Sequence, residues 1–178
     1  TLSVMNASIV WFRQDLRLHD NPALQAGLQS AHTVIPVYIW EPESHDWSPG
    51  AASKWWLHHS LMALQQSLRD RGSDLLILTG TAEQVLLQLC KKTAARQVFW
   101  NRCYEPWSMQ RDKTLKASLR DSGIDVHSHN GSLLWEPWQV SKKDGTPYKV
   151  FTPYFNKGCL SAPSPRQPCG APDSLELA

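Results

Sequence analysis

The 178-residue sequence has no strong charge bias and no long hydrophobic run. Its 18 basic and 16 acidic residues are interspersed and give a net charge of +2, so no basic stripe indicates a nucleic-acid surface. We find no signal peptide and no apolar stretch that would span a bilayer. We therefore expect a cytoplasmic protein without a membrane partner, of a length typical of one domain.

Cysteine is scarce, and the cysteines that are present do not form a redox or metal motif. They are Cys90, Cys103, Cys159 and Cys169. None belongs to a Cys-x-x-Cys pair, so we expect free thiols. Adjacent His58 and His59 on a predicted helix would point about 100° apart, which does not suit shared metal binding. The sequence therefore predicts no metal site.

Common catalytic and nucleotide-binding signatures are also missing. No Gly-x-Gly-x-x-Gly or Walker-type loop follows a predicted strand, which disfavours a dinucleotide dehydrogenase and a P-loop phosphotransferase. No serine lies in a Gly-x-Ser-x-Gly turn, so nothing supports Ser-His-Asp catalysis. We assign no catalytic residue to this chain.

What the sequence does contain is a regular alternation of short apolar runs and longer helical segments. The predicted strands are 8–12, 34–40, 75–79, 97–100 and 125–129, and the predicted helices are 22–30, 51–71, 81–93 and 106–121. This alternation predicts an α/β fold, a Rossmann-like doubly wound five-stranded parallel sheet with helices on both faces.

Two of the predicted helices are amphipathic. The second has an apolar stripe at helical spacing, made of Leu57, Leu61, Leu64 and Leu68. The fourth has a basic face made of Arg111, Lys113, Lys116 and Arg120. We expect the leucines to face the sheet and the basic residues to be solvated.

The most informative segment is Ile9–Leu24, where an apolar strand leads into a charged turn and a helix start. The turn carries Arg13, Asp15, Arg17 and Asp20. Asn21 suits the helix N-cap and Pro22 suits the first helical position, which needs no N–H donor. From these residues alone, a self-neutralising surface ion network is the simplest interpretation of the turn.

The same segment resembles the opening of the DNA photolyase and cryptochrome family, in which Trp-Phe-Arg-x-Asp-Leu-Arg-x-x-Asp-Asn-Pro-Ala-Leu follows the first strand. The corresponding run here is Trp11–Leu24, without a gap. Three further segments agree in the same order: Pro49–Leu61, Trp100–Trp107 and Pro147–Tyr154. The resemblance covers nearly everything before the carboxy-terminal tail, and it corresponds to the amino-terminal domain of that family.

The resemblance implies a strand order 3-2-1-4-5, which places a crevice between the carboxyl ends of the first and fourth strands. One side would be lined by Phe12, Arg13 and Asp15, the other by Asn101, Arg102 and Glu105, and a neighbouring wall by 40–43 and 53–54. By family motif, the predicted cofactor-binding residues are Arg13, Trp40, Lys54, Asn101 and Glu105. Indole rings, cations and amides suit a planar, partly anionic heteroaromatic molecule.

In this family the domain holds an antenna chromophore, usually methenyl-tetrahydrofolate or an 8-hydroxy-deazaflavin and sometimes a flavin. One folate-binding branch uses an Asn-Glu pair where this sequence has Trp107 and Ser108, which argues against that binding mode. Folate binding through Glu41 or Glu43 stays open, as does deazaflavin binding.

The resemblance also implies a domain organisation. Residues 1–157 would form the photolyase-type α/β antenna domain, and residues 158–178 a Pro-rich interdomain linker, truncated before a helical FAD domain. The tail is rich in Pro, Ser, Gly and Ala, so we expect it to bury too little apolar area to pack.

We therefore expect the light-harvesting domain of a deoxyribodipyrimidine photo-lyase, the enzyme that uses light to repair cyclobutane pyrimidine dimers in DNA. The chain alone is not expected to be catalytic. Its expected partners are the carboxy-terminal FAD domain and, through that domain, damaged DNA. Two alternatives stay open: the same domain of a cryptochrome blue-light photoreceptor, and a free-standing nucleotide-binding Rossmann-like module.

Overall fold

The computed structural model describes residues 7–30, 33–42 and 49–175, and it contains a five-stranded sheet in the order β3-β2-β1-β4-β5. The strands are β1 (Ala7–Phe12), β2 (Thr33–Trp40), β3 (Leu76–Thr79), β4 (Gln97–Asn101) and β5 (Asp125–His129). The main helices are α1 (Pro22–Ser30), α2 (Ala51–Arg69), α3 (Ala82–Thr93) and α4 (Pro106–Asp121). The predicted fold class, strand order and alternation are confirmed.

The central strand is β1, which pairs in parallel with both β2 and β4. Phe12 is opposite Tyr38 on one side, and Trp11 is opposite Trp100 on the other. The chain builds β2 and β3 on one side of β1 before it crosses to β4, so the strand order reverses at β1. In open α/β sheets, ligands bind beyond the carboxyl ends of the strands at such a reversal.

Alternate residues of the buried strands face two separate cores. Ile9, Trp11, Val98 and Trp100 belong to the core that contains Leu86 and Leu89 of α3 and Leu115 and Leu119 of α4. Val10, Phe12 and Phe99 belong to the core that contains Leu24 of α1 and Leu61, Leu64 and Leu68 of α2. Because side chains of a strand point alternately to its two faces, helices cover both sides of the sheet.

Local signals determine where the helices begin and end. The Asn21 side chain accepts a hydrogen bond from Leu24 N at 3.1 Å, which confirms the predicted N-cap before Pro22. Gly72, just after α2, has a φ of +82°, a left-handed conformation that costs glycine nothing. These positions determine where α1 begins and where α2 ends.

Residues 132–168 form a compact unit of their own. The indole N–H of Trp135 donates to Pro163 O at 2.8 Å, and Val140 and Cys159 are buried. This unit contains three short helical turns, Phe151–Pro153, Tyr154–Gly158 and Cys159–Ser161. A Cβ on Gly158 would lie 2.6 Å from Val140 Cγ1, so this close packing requires glycine.

The tail differs from the sequence expectation, because 169–175 belongs to the same unit as the sheet. Leu175 is 2% exposed and lies in the core beneath α1 and α2. Its N–H donates to Arg71 O at 2.8 Å, and the Arg71 guanidinium donates to Pro172 O at 2.9 Å. One buried leucine and several hydrogen bonds to the backbone order this segment. The average composition of the tail could not predict this, because it does not show where a single apolar residue packs.

The charged turn after β1 holds two other parts of the chain. Arg17 Nη2 donates to Gly131 O at 2.5 Å and to Asp20 O at 3.0 Å. Asp20 N donates to Cys169 O at 2.8 Å, while the Asp20 carboxylate accepts from Cys169 N at 3.3 Å. Gly131 and Cys169 are the residues directly before and after the unit 132–168. Part of this turn is therefore structural.

Candidate functional site

A cavity of about 210 Å³ opens at the carboxyl ends of β1 and β2, against the first turns of α4. Its lining residues are Trp11, Arg13, Gln14, Tyr38, Ile39, Trp40, Glu41, Pro49, Leu57, Cys103, Trp107, Ser108 and Arg111. Three of these are tryptophans and two are arginines. The parallel sheet brings these residues together because all its strands end at the same edge.

Arg13 is fixed at the floor of the cavity by a buried ion pair. Its Nη1 lies 2.9 Å and 2.8 Å from the two carboxylate oxygens of Asp112, and its Nη2 donates to Asn101 O. The side chains of Arg13 and Asp112 are only 6% and 9% exposed. Such a pair is expensive to desolvate and depends on good geometry. Arg13 Nε is buried without a hydrogen-bond partner.

Arg111, one residue before Asp112 on α4, lies between two aromatic rings. Its guanidinium carbon is 5.1 Å from the ring centroid of Trp11 and 5.1 Å from that of Trp107. Its Nη1 is 2.7 Å from Glu41 Oε2, and its Nη2 is 3.1 Å from Asp112 Oδ1. Stacking and ion pairing together hold the planar guanidinium at the cavity wall.

Two other lining residues keep their protons at neutral pH. Burial raises the pKa of Tyr38, and the Glu41 carboxylate raises it further. Burial also raises the pKa of the Cys103 thiol, although the positive charge of Arg13 opposes this shift. Tyr38 is therefore available as a neutral hydrogen-bond donor.

The five residues predicted to bind a cofactor do not all line this cavity. Arg13 and Trp40 do. Lys54 lines a neighbouring recess of about 340 Å³ that shares Tyr38 and Trp40 with the cavity. Asn101 and Glu105 line neither the cavity nor this recess.

Asn101 joins β4 to the start of α1. Its Nδ2 lies 2.8 Å from Asn21 Oδ1 and 2.5 Å from Asp15 Oδ2, and its Oδ1 accepts from Ala23 N at 3.2 Å. A Cβ on Gly131 would lie 2.6 Å from Asn101 Cγ. These contacts engage the Asn101 side chain with α1, and the cavity is lined by the ends of β1 and β2 and by the segment that leads from β4 into α4.

Glu105 directly precedes α4 and accepts a hydrogen bond from Gln14 Nε2 at 2.9 Å. Partial burial alone would raise the pKa of Glu105, but the hydrogen bond from Gln14 and other contacts outweigh it, and the pKa is lowered. Glu105 is therefore an ionised residue that links the charged turn to the start of α4.

Glu41, an alternative folate contact, does line the cavity. Its Oε1 accepts from Ala82 N at 2.8 Å at the start of α3, while Oε2 binds Arg111. Carboxylates are favourable at helix N-termini. Glu43, the other alternative, lies outside the described residues.

Sequence reasoning missed Trp11, Trp107 and Arg111 as site residues. The basic face of α4 is not uniformly solvated, because Arg111 is 23% exposed and burial lowers the pKa of Lys116. Trp107 and Arg111 are four residues apart and follow a strand end, a helical spacing that places them on one face. That spacing is the signal that could have identified them.

Two further findings concern metals and membranes. Across the described ranges, no cluster of three or more His, Cys, Asp or Glu residues could hold a metal ion. None of the helices in those same ranges is long and apolar enough to cross a bilayer.

Comparison with known proteins identifies the family. The family model for DNA photolyase matches residues 8–172. The deoxyribodipyrimidine photo-lyase of Agrobacterium fabrum is 46% identical over 167 residues, which cover 94% of this chain and 34% of that protein. Cryptochrome-2 of Arabidopsis thaliana is 46% identical over 155 residues, 86% of this chain and 25% of that protein.

A solved structure agrees with both the fold and the family. The crystal structure of a bacterial class III photolyase from Agrobacterium tumefaciens superposes with a TM-score of 0.90 at 44% identity. It covers 100% of this chain, which spans 36% of that protein. The chain thus spans between a quarter and about a third of the length of these relatives, and it belongs to the DNA photolyase family.

Proposed function

We propose that this chain is the light-harvesting domain of a deoxyribodipyrimidine photo-lyase and that the cavity over β1 and β2 holds its antenna chromophore. The observation that carries the proposal is the cavity itself, in which three indole rings and two fixed guanidinium groups converge where the strand order reverses. Family members bind a flavin and an antenna chromophore, so a light-absorbing heteroaromatic ligand agrees with the family.

The residues present fit such a ligand. Trp11, Trp40 and Trp107 offer flat apolar surfaces, and Tyr38 offers a neutral phenol. The partly exposed Arg111 guanidinium at the cavity wall offers donors to an acidic group. A planar molecule with an acidic edge would satisfy these groups together.

The size of the site indicates that the ligand extends beyond the cavity. About 210 Å³ is small for a ligand site, since such sites usually enclose roughly 300–1,000 Å³. A second recess of about 470 Å³ shares Arg13, Gln14, Tyr38 and Leu57 with it. We place the ring system in the cavity and the remainder of the ligand in the adjoining recesses, where Lys54 suits an acidic group.

The other sequence-predicted residues are assigned supporting roles. Asn101 and Glu105 position Arg13 and the start of α4 rather than contact the ligand. Glu41 is retained as a contact for methenyl-tetrahydrofolate, because it already holds Arg111 at the wall. 8-Hydroxy-deazaflavin and flavin are the other candidates, and both offer the flat ring and acidic edge that the lining residues suit.

An absorption titration tests this function directly. The purified protein is mixed separately with methenyl-tetrahydrofolate, 8-hydroxy-deazaflavin and FAD, and we expect one of them to give a shifted absorption band that saturates. Arg111→Ala should weaken that binding by roughly ten- to a hundredfold, the effect of losing one hydrogen bond to a charged group. Arg69→Ala, which removes an exposed arginine from α2, is the matched control.

Two outcomes would contradict the proposal. The first is the absence of binding by all three chromophores. The second is binding that Arg111→Ala and Arg69→Ala leave equally unchanged, which would place the ligand elsewhere on the protein.

The activity of the longer protein is part of the same proposal. When bound, an antenna chromophore absorbs light and transfers the energy to FAD in a helical lobe, and 158–178 would lead toward that lobe. The four free cysteines support the cytoplasm as its compartment.

A cryptochrome is the second candidate, because Cryptochrome-2 is also 46% identical. Repair of a dimer-containing oligonucleotide under blue light by the longer protein supports a photolyase, and no repair supports a cryptochrome.

A further inference from the structure

Tryptophans and arginines alternate from the cavity into the sheet. Arg111 lies 5.1 Å from the ring centroids of both Trp107 and Trp11. Arg13 lies 4.8 Å from the centroid of Trp11 and 5.8 Å from that of Trp100. Three indoles are thus linked in a row by two guanidinium groups, and the row begins at the cavity wall.

The two inner indoles are in direct contact. The ring centroids of Trp11 and Trp100 are 5.6 Å apart at an interplanar angle of 77°, an edge-to-face pair. Trp11 is 2% exposed and Trp100 is fully buried. Both rings are shielded from water, and their contact is short enough for excitation to pass from one indole to the other by dipolar transfer. Excitation of Trp100 can therefore reach the cavity through its single contact with Trp11, which lines the cavity.

We propose that Trp11, Trp40, Trp100 and Trp107, here called the tryptophan cluster, act as an ultraviolet antenna that transfers excitation to the chromophore in the cavity. This rests on the proposed function of the cavity. Indoles absorb at shorter wavelengths than the three candidate chromophores, and indole emission overlaps the absorption of those chromophores. Excitation energy therefore passes from the cluster to the ligand, and the range of wavelengths that the protein can use extends into the ultraviolet.

The placement of the cluster determines its share of the transfer. Dipolar energy transfer falls steeply with distance, and three of the eight tryptophans that the structure describes line the cavity. Trp100 adds a fourth through its contact with Trp11. The exposed Trp55 of α2 lines none of the three recesses at this edge of the sheet, so it should contribute much less.

Energy transfer moves no net charge and breaks no bond. It therefore needs no rearrangement of the ion pairs around the cluster, in which Arg13 is paired with Asp112 and Arg111 with both Glu41 and Asp112.

The test is sensitised emission from the bound chromophore. Each of methenyl-tetrahydrofolate, 8-hydroxy-deazaflavin and FAD is titrated to saturation, and its emission is recorded with excitation in the tryptophan band and in its own band. The ratio of the emission excited in the tryptophan band to the emission excited in the chromophore's own band gives the efficiency of energy transfer per bound chromophore, whatever the binding affinity. In the wild-type protein we expect the tryptophan band to be present in the excitation spectrum, with matching loss of tryptophan emission.

Two matched variants locate the donors. Trp107→Phe removes one of the four indoles of the tryptophan cluster, on the first turn of α4, and should lower the ratio by about one quarter. Trp55→Phe removes an indole that is 62% exposed on α2 and should lower it by less than the one ninth expected from number alone. Both changes are conservative, and the partial exposure of Trp107 protects the fold.

Each remaining outcome overturns the inference. Equal losses in the two variants would mean that the cluster has no special role. Chromophore emission that increases in Trp107→Phe under direct excitation would show that the indole quenches by electron donation. Binding without a tryptophan band in the excitation spectrum overturns the ultraviolet antenna but leaves the cavity's function intact, whereas no binding of any probe overturns both.

Discussion

At the scale of single residues, two neighbouring side chains of α4 organise the cavity. The Asp112 carboxylate pairs with Arg13 at the floor of the cavity, and the Arg111 guanidinium lies between two indoles at the cavity wall. Because Asp112 contacts both arginines, its carboxylate is the shared centre of the ion network. The sequence predicted a self-neutralising surface network within the turn after β1, but the anion that pairs with Arg13 is the buried carboxylate of Asp112, 99 residues away in the sequence.

Asp112→Ala should therefore destabilise the protein strongly. It leaves Arg13 buried without its carboxylate, and breaking a buried pair in this way costs about 3–5 kcal/mol. The free energy of unfolding from urea denaturation measures the loss. Asp74→Ala, which breaks the exposed pair with Arg69, should cost about 0–1 kcal/mol.

A double variant separates the charge from the packing. Arg13→Met combined with Asp112→Leu removes both charges and should recover most of the stability that Asp112→Ala loses. If the double variant is as unstable as Asp112→Ala, the cost lies in lost packing rather than in an unpaired charge.

At the scale of elements, close helix-to-strand packing sets the position of α1. Gly27 of α1 faces β1, where a Cβ would lie 2.7 Å from Val10 Cγ2 and 3.4 Å from Ser8 Oγ. Glycine there lets α1 approach the strand whose carboxyl end forms the cavity. The Ser8 hydroxyl also donates to Gly27 O at 3.2 Å.

Gly27→Ala should consequently lower stability although alanine is the better helix former. Overpacking in a core costs about 1–3 kcal/mol, which exceeds the helix propensity gain of roughly 1 kcal/mol. Thermal unfolding followed by circular dichroism measures the net effect. Gly170→Ala, where a Cβ meets nothing within 4 Å, is the control, and an equal loss there would contradict the packing argument.

The elements were predictable because their signals are local. Buried parallel strands appear as short apolar runs, and the leucine stripe of α2 recurs at helical spacing, so both follow from neighbouring residues. The site was predictable only in part. The position of Arg13 and Trp40 follows from the strand ends, whereas the contacts of Asn101 with α1 and of Arg111 with Glu41 depend on distant segments. No local pattern encodes which partner a charged side chain finds.

At the scale of the whole molecule, the chain returns to its first unit after 132–168. Leu175 fills the core beneath α1 and α2, so the residues after the second unit contribute to the stability of the first. The tail is therefore a structural part of the sheet-containing unit as well as the proposed path to another lobe.

Leu175→Ala should destabilise that unit by about 2–5 kcal/mol, the usual cost of emptying a buried leucine site. Amide hydrogen exchange of α1 and α2 reports the loss locally, and urea denaturation reports it globally. Leu160→Ala, at a leucine that is 66% exposed, is the matched control. Similar exchange rates in the two variants would show that the tail does not support these helices.

The turn after β1 has one more consequence for this architecture. Arg17 binds Gly131 and Asp20 binds Cys169, so the residues that flank 132–168 on both sides are fixed by the same turn. Closing a longer loop between these fixed residues costs little extra entropy, because that cost grows only with the logarithm of length. Insertions, deletions or replacements within 132–168 can therefore be tolerated while the sheet-containing unit keeps its structure.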